Sequence, residues 1–222
     1  MTTAIPRSWG HVVVTGGAGF VGSRRCTALL AAGSAVTCVD DLSTGRPENV
    51  APLLERPGFT LVQANVAEAL PVDRRPDLVL HFASPASPAD YLRLPLHTLE
   101  AGSLGTRNAL RLAQDARARF VLASTSEVYG DPRQNPQDER YWGNVNPVGP
   151  RSVYDEANRF GEAPTTAHAD SHGTDTCIVR LFNTYGPRMR GHDGRAVPTF
   201  VRQALAGDPL DLFRPGEGEA AR

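Results

Sequence analysis

The sequence predicts an α/β protein built on a doubly wound parallel sheet, and three observations carry that expectation. Short apolar runs suited to buried strands recur along most of the chain, helical stretches or loops separate them, and a glycine-rich turn joins the first strand to the first helix. In order, the runs place strands at 11–15, 35–39, 60–63, 78–82, 120–124 and 177–181. A helix over 23–32, closed by Gly33, completes a β-α-β unit with the first two strands. After Gly186 the composition shifts toward Arg, Gly, Pro and Asp, with a short helix at 199–206. The last eight or so residues lack an apolar pattern and are expected to be poorly ordered.

Composition narrows the function. With 222 residues, 41% hydrophobic and 21% charged, the chain can bury one substantial core, which excludes a disordered, fibrous or disulfide-stapled protein. A net charge of -1 provides no global field toward nucleic acid or an anionic membrane, so partners must be read from individual sites. All 23 basic residues are Arg, and no Lys occurs anywhere. Schiff-base chemistry, a P-loop lysine and a lysine that lowers a neighbour's pKa are therefore excluded within this chain. Cys26, Cys38 and Cys177 lie in apolar stretches without metal-ligand spacing and read as buried thiols of a reducing compartment. The polar first ten residues do not form a secretion signal, and no apolar run approaches the roughly 18 residues of a membrane span, so a cytoplasmic location is expected. His81 ends a strand and is expected in the core. His97, His168, His172 and His192 share no metal spacing and are expected at the surface, with no metal site.

The first strand runs into TGGAGFVG, placing Gly16, Gly19 and Gly22 where small residues let backbone amides approach a pyrophosphate at a helix N-terminus. Asp40 follows Gly22 by 18 residues at the end of the second strand, where a carboxylate accepts from a ribose 2′-hydroxyl and repels a 2′-phosphate. The expectation is a Rossmann-type sheet that binds NAD in preference to NADP.

Beyond that turn, TGGAGFVGS from Thr15, DDLSTGR from Asp40, HFASPASP from His81, STSEVYGDP from Ser124, YWGNVNPVGPRSVYDEA from Tyr141 and RLFNTYGPRM from Arg180 resemble the extended short-chain dehydrogenase/reductases. The likeness covers about residues 10–210 and is to the nucleotide-sugar branch, most of all the UDP-glucuronate decarboxylases. In that group NAD oxidises the sugar C4 hydroxyl, the 4-keto sugar loses its C5 carboxylate as carbon dioxide, and the hydride returns. The resemblance implies that Tyr154 is the base, that Thr125 and Ser126 contact the C4 oxygen, that Glu127 lies near C5, and that Asn158 stands at the ribose position. It implies cofactor contacts from Gly16, Gly19, Phe20, Val21, Asp40, Asp41, Ser43, Thr44 and Gly45 in the first half, from Asn65, Val66, Phe82, Ala83, Ser84 and Thr98 in the middle, and from Arg188. It implies sugar-nucleotide contacts from Pro85, Ser87, Tyr91, His97, Glu127, Asn183 and Arg195. Arg190 resembles a further phosphate contact.

Several positions depart from that pattern. The family motif is Tyr-x-x-x-Lys, and here Tyr154 is followed four residues later by Asn158. The lysine would lie on the tyrosine's helix face and favour its phenolate; Asn158 can hydrogen-bond but carries no charge. A free Tyr titrates near ~10, so little phenolate forms at neutral pH without a cation. Arg159 is rotated by about 100° around the helix and does not replace the lysine directly. His97 stands where a lysine is common, and Gly102 where an asparagine is common. Pro164 sits in the helix that begins near Tyr154 and predicts a kink or an early end near 161–164. The chain ends about where the family's nucleotide-gripping segment begins, so a Rossmann domain over 10–182 is expected with only a remnant of a substrate lobe, truncated, over 183–222. Family helices matching 98–113 and 152–170 pair in dimers, which implies a homodimer, and the short lobe admits a complementing polypeptide. Two functions remain open: an enzyme resembling UDP-glucuronate decarboxylase with impaired or altered activity, and a cofactor-binding pseudoenzyme or redox-neutral catalyst built on the same fold.

Overall fold

The computed structural model describes residues 9–210. Six strands form one all-parallel sheet: β1 (His11–Thr15), β2 (Ala35–Asp40), β3 (Phe59–Gln63), β4 (Leu78–His81), β5 (Arg119–Thr125) and β6 (Thr176–Leu181). Their spatial order is β3-β2-β1-β4-β5-β6, so the sheet winds outward in both directions from the β1/β4 junction. Every neighbouring pair is parallel. Parallel pairing needs crossover connections, and residues buried on both sheet faces must be apolar along the strand. Val12, Val13 and Val14 satisfy this, all fully buried.

The helices are α1 (Phe20–Ala31), α2 (Pro88–Arg93), α3 (Pro95–Glu100), α4 (Thr106–Ala116), α5 (Ser152–His172) and α6 (Ala196–Ala206). One core lies where α4 covers β1, β4 and β5, around Val13, Val79, Leu110 and Phe120; a second lies under α1, around Val14, Cys26, Val36 and Leu80. The strands match the expected runs to within a residue, and the two helix starts differ. The first helix begins at Phe20 rather than residue 23, because the extended Gly19 caps it and the second half of the glycine motif is already its first turn. The last helix begins at Ala196 rather than 199. The expected disordered tail lies outside the described residues.

Pro164 does not end its helix. The expectation of an early end near 161–164 is overturned, since α5 continues for two more turns to His172 and stops at Gly173 in a left-handed conformation. Two hydroxyls reinforce the backbone here: Thr165 donates to the Gly161 carbonyl at 2.8 Å and Thr166 to the Glu162 carbonyl at 3.1 Å. Packing against α3, α4, β5 and β6 holds the rest. Tertiary contact therefore outweighs a local cost of about 3 kcal/mol.

Between α3 and α4 the chain makes one wide π-type turn over Ala101–Gly105. Gly102 sits there because α5 passes close by: a Cβ at 102 would stand 2.6 Å from the Ala157 carbonyl oxygen. An asparagine has no room against this helix.

Cys26 and Cys38 are fully buried and Cys177 is partly buried. The first two fill the space under the glycine turn, where a Cβ on Gly17 would overlap the Cys38 sulfur. A hydrogen bond with Cys26, and then burial, push the Cys38 thiol well above its ordinary range. Among the described residues no helix is long and apolar enough to cross a membrane, and no group of three or more His, Cys, Asp or Glu could hold a metal ion.

Candidate functional site

A cavity of about 420 Å³ opens at the carboxyl ends of the strands, above the β1/β4 junction where the winding reverses. Its first half is backbone. Gly16 has φ +65° and lies so close to β4 that a Cβ would stand 2.7 Å from the Phe82 carbonyl. A Cβ on Gly22 would overlap the Gly16 carbonyl oxygen, so the turn closes only with glycine at both positions. The first turn of α1 carries no side-chain cap and no acidic residue, leaving its amides facing the cavity. Asp40 is held by backbone donors, Oδ2 accepting from Ala18 N and Oδ1 from Leu42 N, both at 2.9 Å. Burial raises its pKa and those two bonds oppose the rise. Gly45 leaves a gap beside the Asp40 carboxylate that any Cβ would fill. At the rim, His97 Nε2 meets Asp41 Oδ2 at 2.9 Å and Ser43 Oγ at 3.3 Å. His97 is thus half-buried and tied to the β2 loop, correcting the expectation of a free surface histidine.

The second half is made of side chains from separate elements. Tyr154, on the first turn of α5, is buried and stacks on Tyr91 of α2 with ring centroids 5.1 Å apart. Burial pushes its phenol above the usual range, and a hydrogen bond with the Thr125 hydroxyl opposes that. Thr125 ends β5, and its Oγ1 accepts from Glu127 N at 3.2 Å, capping the 3-10 turn Ser126–Tyr129. The Glu127 carboxylate pairs with Arg151, directly before α5. Asn158 is buried, and its amide donates to the Tyr154 carbonyl at 2.9 Å along its own helix.

The cavity brings together all five expected catalytic residues and all seven expected substrate contacts. Ser87 among them is already engaged, donating to Asp90 Oδ2 at 2.7 Å and capping α2. Of the expected cofactor contacts, two lie outside the lining. Thr98 is fully buried with its hydroxyl turned onto the Leu94 carbonyl at 2.8 Å, and Asn65 accepts from Ala67 N at 2.9 Å as an Asx turn. In both cases a nearby backbone group is the closer partner for a short polar side chain. Arg188 lines the cavity but donates to Thr27 of α1 at 3.1 Å.

Sequence reasoning missed Arg151, Asp155 and Asp193. Arg151 acts on Glu127, Tyr91 and Asp155 together, which a motif centred on Tyr154 does not reveal. Asp193 anchors Arg195, with Oδ2 accepting from Nη2 at 3.0 Å. His81 behaves as expected, buried between Thr15 at 2.7 Å and Thr106 at 3.1 Å, with burial lowering its pKa to about 4 so that it is neutral.

This arrangement, a parallel sheet with a glycine turn and a backbone-anchored acid at one end of a cavity and a Thr-Tyr couple at the other, is a Rossmann-type scaffold of the extended short-chain dehydrogenase/reductase class. The chain belongs to the NAD dependent epimerase/dehydratase family, whose model matches residues 12–222. It is 46% identical over 207 residues to UDP-glucuronic acid decarboxylase 1 of Xenopus tropicalis, covering 93% of this chain and 49% of that protein. To UDP-glucuronic acid decarboxylase 2 of Arabidopsis thaliana it is 48% identical over 212 residues, covering 96% and 47%. The chain therefore spans about half the length of the curated relatives it matches. Among solved structures it superposes on UDP-glucose 4-epimerase of Thermotoga maritima with UDP-glucose, with a TM-score of 0.80, 27% identity and coverage of 93% of this chain and 67% of that one. The dTDP-glucose 4,6-dehydratase of Streptomyces venezuelae, with NAD bound, gives 0.80, 29%, 93% and 65%.

Proposed function

We propose that the chain binds NAD along the glycine-turn half of the cavity and a nucleotide sugar bearing a carboxylate in the Tyr154 half. On this reading it carries out the chemistry of a UDP-glucuronate decarboxylase, with altered or reduced turnover. The observation that carries it is the placement of Tyr154 against Thr125, beside the Glu127–Arg151 pair, at the end of a cavity that begins at Asp40.

The cavity's residues fit the cofactor. The uncapped α1 amides suit a pyrophosphate, Gly16 and Gly22 leave no bulk in its way, and the anchored Asp40 accepts from a ribose hydroxyl and disfavours a 2′-phosphate. When bound, NAD supplies the hydride acceptor for C4 and the donor for its re-reduction. On the protein side Tyr154 takes the C4 hydroxyl proton, and Thr125 and Ser126 hold the same oxygen. Glu127 stands near C5, where a proton must be delivered after carbon dioxide leaves. Arg151, paired with Glu127, is the guanidinium that this reading assigns to the sugar carboxylate. The same reading expects a cytoplasmic setting, and either a homodimer or a complementing polypeptide.

A second reading has its own observation. The Asn158 amide is turned onto its own helix, so the phenol gains no charge from that position, as in a pseudoenzyme that binds the cofactor or a catalyst with no redox step. Calorimetry with NAD, followed by mass spectrometry of UDP-glucuronate incubated with protein and NAD, separates the two. Formation of UDP-xylose or a 4-keto sugar supports the first, binding without product supports the second, and absence of NAD binding removes the first and leaves only the redox-neutral catalyst of the second.

A further inference from the structure

At the cofactor end of the cavity one stretch of wall belongs to no strand or helix. Residues 41–45 form an arc after β2, and both its ends are pinned to Ala18 in the glycine turn: Ala18 N donates to Asp40 Oδ2 at 2.9 Å, and Arg46 N donates to the Ala18 carbonyl at 3.1 Å. Between the pins Leu42 takes φ +63°, a left-handed conformation that costs a leucine energy, so the arc keeps its course only where other contacts hold it. One contact is local, Asp41 Oδ1 accepting from Ser43 N at 2.9 Å. The other comes from α3, where His97 Nε2 lies 2.9 Å from Asp41 Oδ2 and 3.3 Å from Ser43 Oγ. A carboxylate only accepts, so Nε2 carries the ring proton that joins them. The base of this contact is firm, since Thr98, next to His97, is fully buried and α3 packs on α5, the helix of Tyr154.

We propose that His97 is a positioning residue for the cofactor site, a strap from α3 that fixes the 41–45 arc and, through Gly45, the gap beside the Asp40 carboxylate. Gly45 lies within the arc, and that gap exists only because the backbone passes close to Asp40 at a residue without a Cβ. A shift of the arc therefore opens or shuts the gap. His97, Asp41, Ser43 and Gly45 all line the cavity, and they come from two elements, so the strap joins one wall of the cavity to another. The His97 and Asp41 side chains are only 23% and 25% exposed, which withdraws the bond from water and lets it hold better than a surface pair. The inference rests on the NAD reading above, and it moves His97 from the sugar contacts to the cofactor end.

The test uses the full chain with NAD and with ADP-ribose, which share the adenosine end and differ at the nicotinamide. Calorimetry should show both ligands weakened roughly tenfold in His97→Phe, which keeps a ring and loses the donor, and the double variant His97→Phe with Asp41→Ala should bind no more weakly than Asp41→Ala alone. The cycle cancels the loss of the Ser43 bond that Asp41→Ala brings by itself. His97→Gln restores an N–H donor and should stay within about threefold of the parent, whereas a role in bulk packing alone would favour Phe over Gln. Without any ligand, nitrogen-15 spectra of the His97 ring should place its proton on Nε2 and show that nitrogen shifting in Asp41→Ala. Melting curves check folding, and if His97→Phe does not fold, His97→Gln against His97→Ala makes the same comparison of donor with none. Unchanged or tighter binding of both ligands in the folded variant without a donor, additive losses in the double variant, or a ring protonated on Nδ1 alone overturns the proposal. A parent that binds neither ligand overturns the NAD reading and the strap with it; a parent that binds both, with the variants equal to it, overturns the strap alone.

Discussion

At the Gly16 end of the cavity the shape is set by main chain: two glycines that tolerate no Cβ, a helix start without a cap, and a carboxylate fixed by two backbone amides. At the Tyr154 end the shape is set by long side chains from α2, β5, α5 and the segment before α6, tied by Glu127–Arg151, Asp90–Arg190 and Asp193–Arg195. Backbone positions depend on local sequence, so a motif specifies them. Positions held by arginines from distant segments depend on the whole fold, and each has a carboxylate partner whose loss leaves a charge uncompensated. The first end is rigid and specified nearby; the second can be retuned by single substitutions.

The largest effect that distinguishes the two ends is expected from Tyr154→Phe. Removing one hydroxyl should lower product formation about a thousandfold, in the range of general-base loss, while NAD affinity changes less than about threefold. Stopped-flow absorbance at 340 nm and calorimetry give the two numbers. Equal losses in both would merge the two ends into one coupled unit. Next comes Gly22→Ala, where the new methyl must displace the Gly16 carbonyl. NAD affinity should fall at least about a hundredfold, and the melting temperature should fall too, since overpacking typically costs about 1–3 kcal/mol. A protein that binds NAD normally after this change would contradict the close-packed turn.

Those two substitutions also mark what the sequence alone could tell. The turn at Gly16 to Gly22 and the acid at Asp40 were legible because their spacing encodes a strand, a turn and a helix, and local geometry does the rest. Tyr154, Thr125 and Glu127 were legible through resemblance, and the fold brings them to one cavity. Arg151 and Asp193 were not, because a residue that matters through a partner 24 positions away or through one neighbouring arginine has no periodic or spacing signature. Thr98 and Asn65 were placed at the cofactor by resemblance, yet their own backbone neighbours claim their side chains. Pro164 misled about where the helix ends for the opposite reason: propensity is local, and α5 is held by packing along its length.

Behind the Tyr154 end, Glu162 of α5 accepts from Ser124 at 2.6 Å and from Arg180 of β6 at 2.8 and 2.7 Å, and Arg180 also reaches the Tyr129 hydroxyl at 2.8 Å. This cluster joins β5, β6 and α5 under the Ser126–Tyr129 turn. Burial raises the Glu162 pKa, but the bonds from Arg180 and Ser124 outweigh it and hold the carboxyl below its ordinary 4.5. The folded state therefore binds this proton less readily than the unfolded one, so the stabilisation is present above pH 4.5 and lost as pH falls through the folded value. Glu162→Gln should destabilise by about 2 kcal/mol at pH 7, since it leaves Arg180 partly buried without its counter-charge. That deficit should shrink toward pH 3.5 in thermal melts. A deficit independent of pH would mean that shape, not charge, holds this corner.

Asp155 should give the smallest effect and the opposite sign. It follows Tyr154, is buried, and leaves its Oδ1 without a hydrogen-bond partner. Burial pushes its pKa up to about 6; Arg151 and Arg159 oppose the rise, and Glu127 and Glu156 add to it. A carboxyl whose folded pKa lies above the ordinary 3.8 is protonated more readily in the fold, so stability falls as pH rises from 3.8 toward 6, and the full cost is present above that. Asp155→Asn should therefore raise stability by about 1 kcal/mol at pH 8, less than the full linkage value because the amide's own polar atoms must be buried. By pH 5 the gain should have largely gone. Melting curves at pH 5, 6.5 and 8 read this directly, and a variant less stable than the parent at pH 8 would show that ionised Asp155 is needed by Arg151 to hold the Tyr154 end together. In that case the carboxylates at this end act as one network, and the contrast with the backbone-built end becomes sharper still.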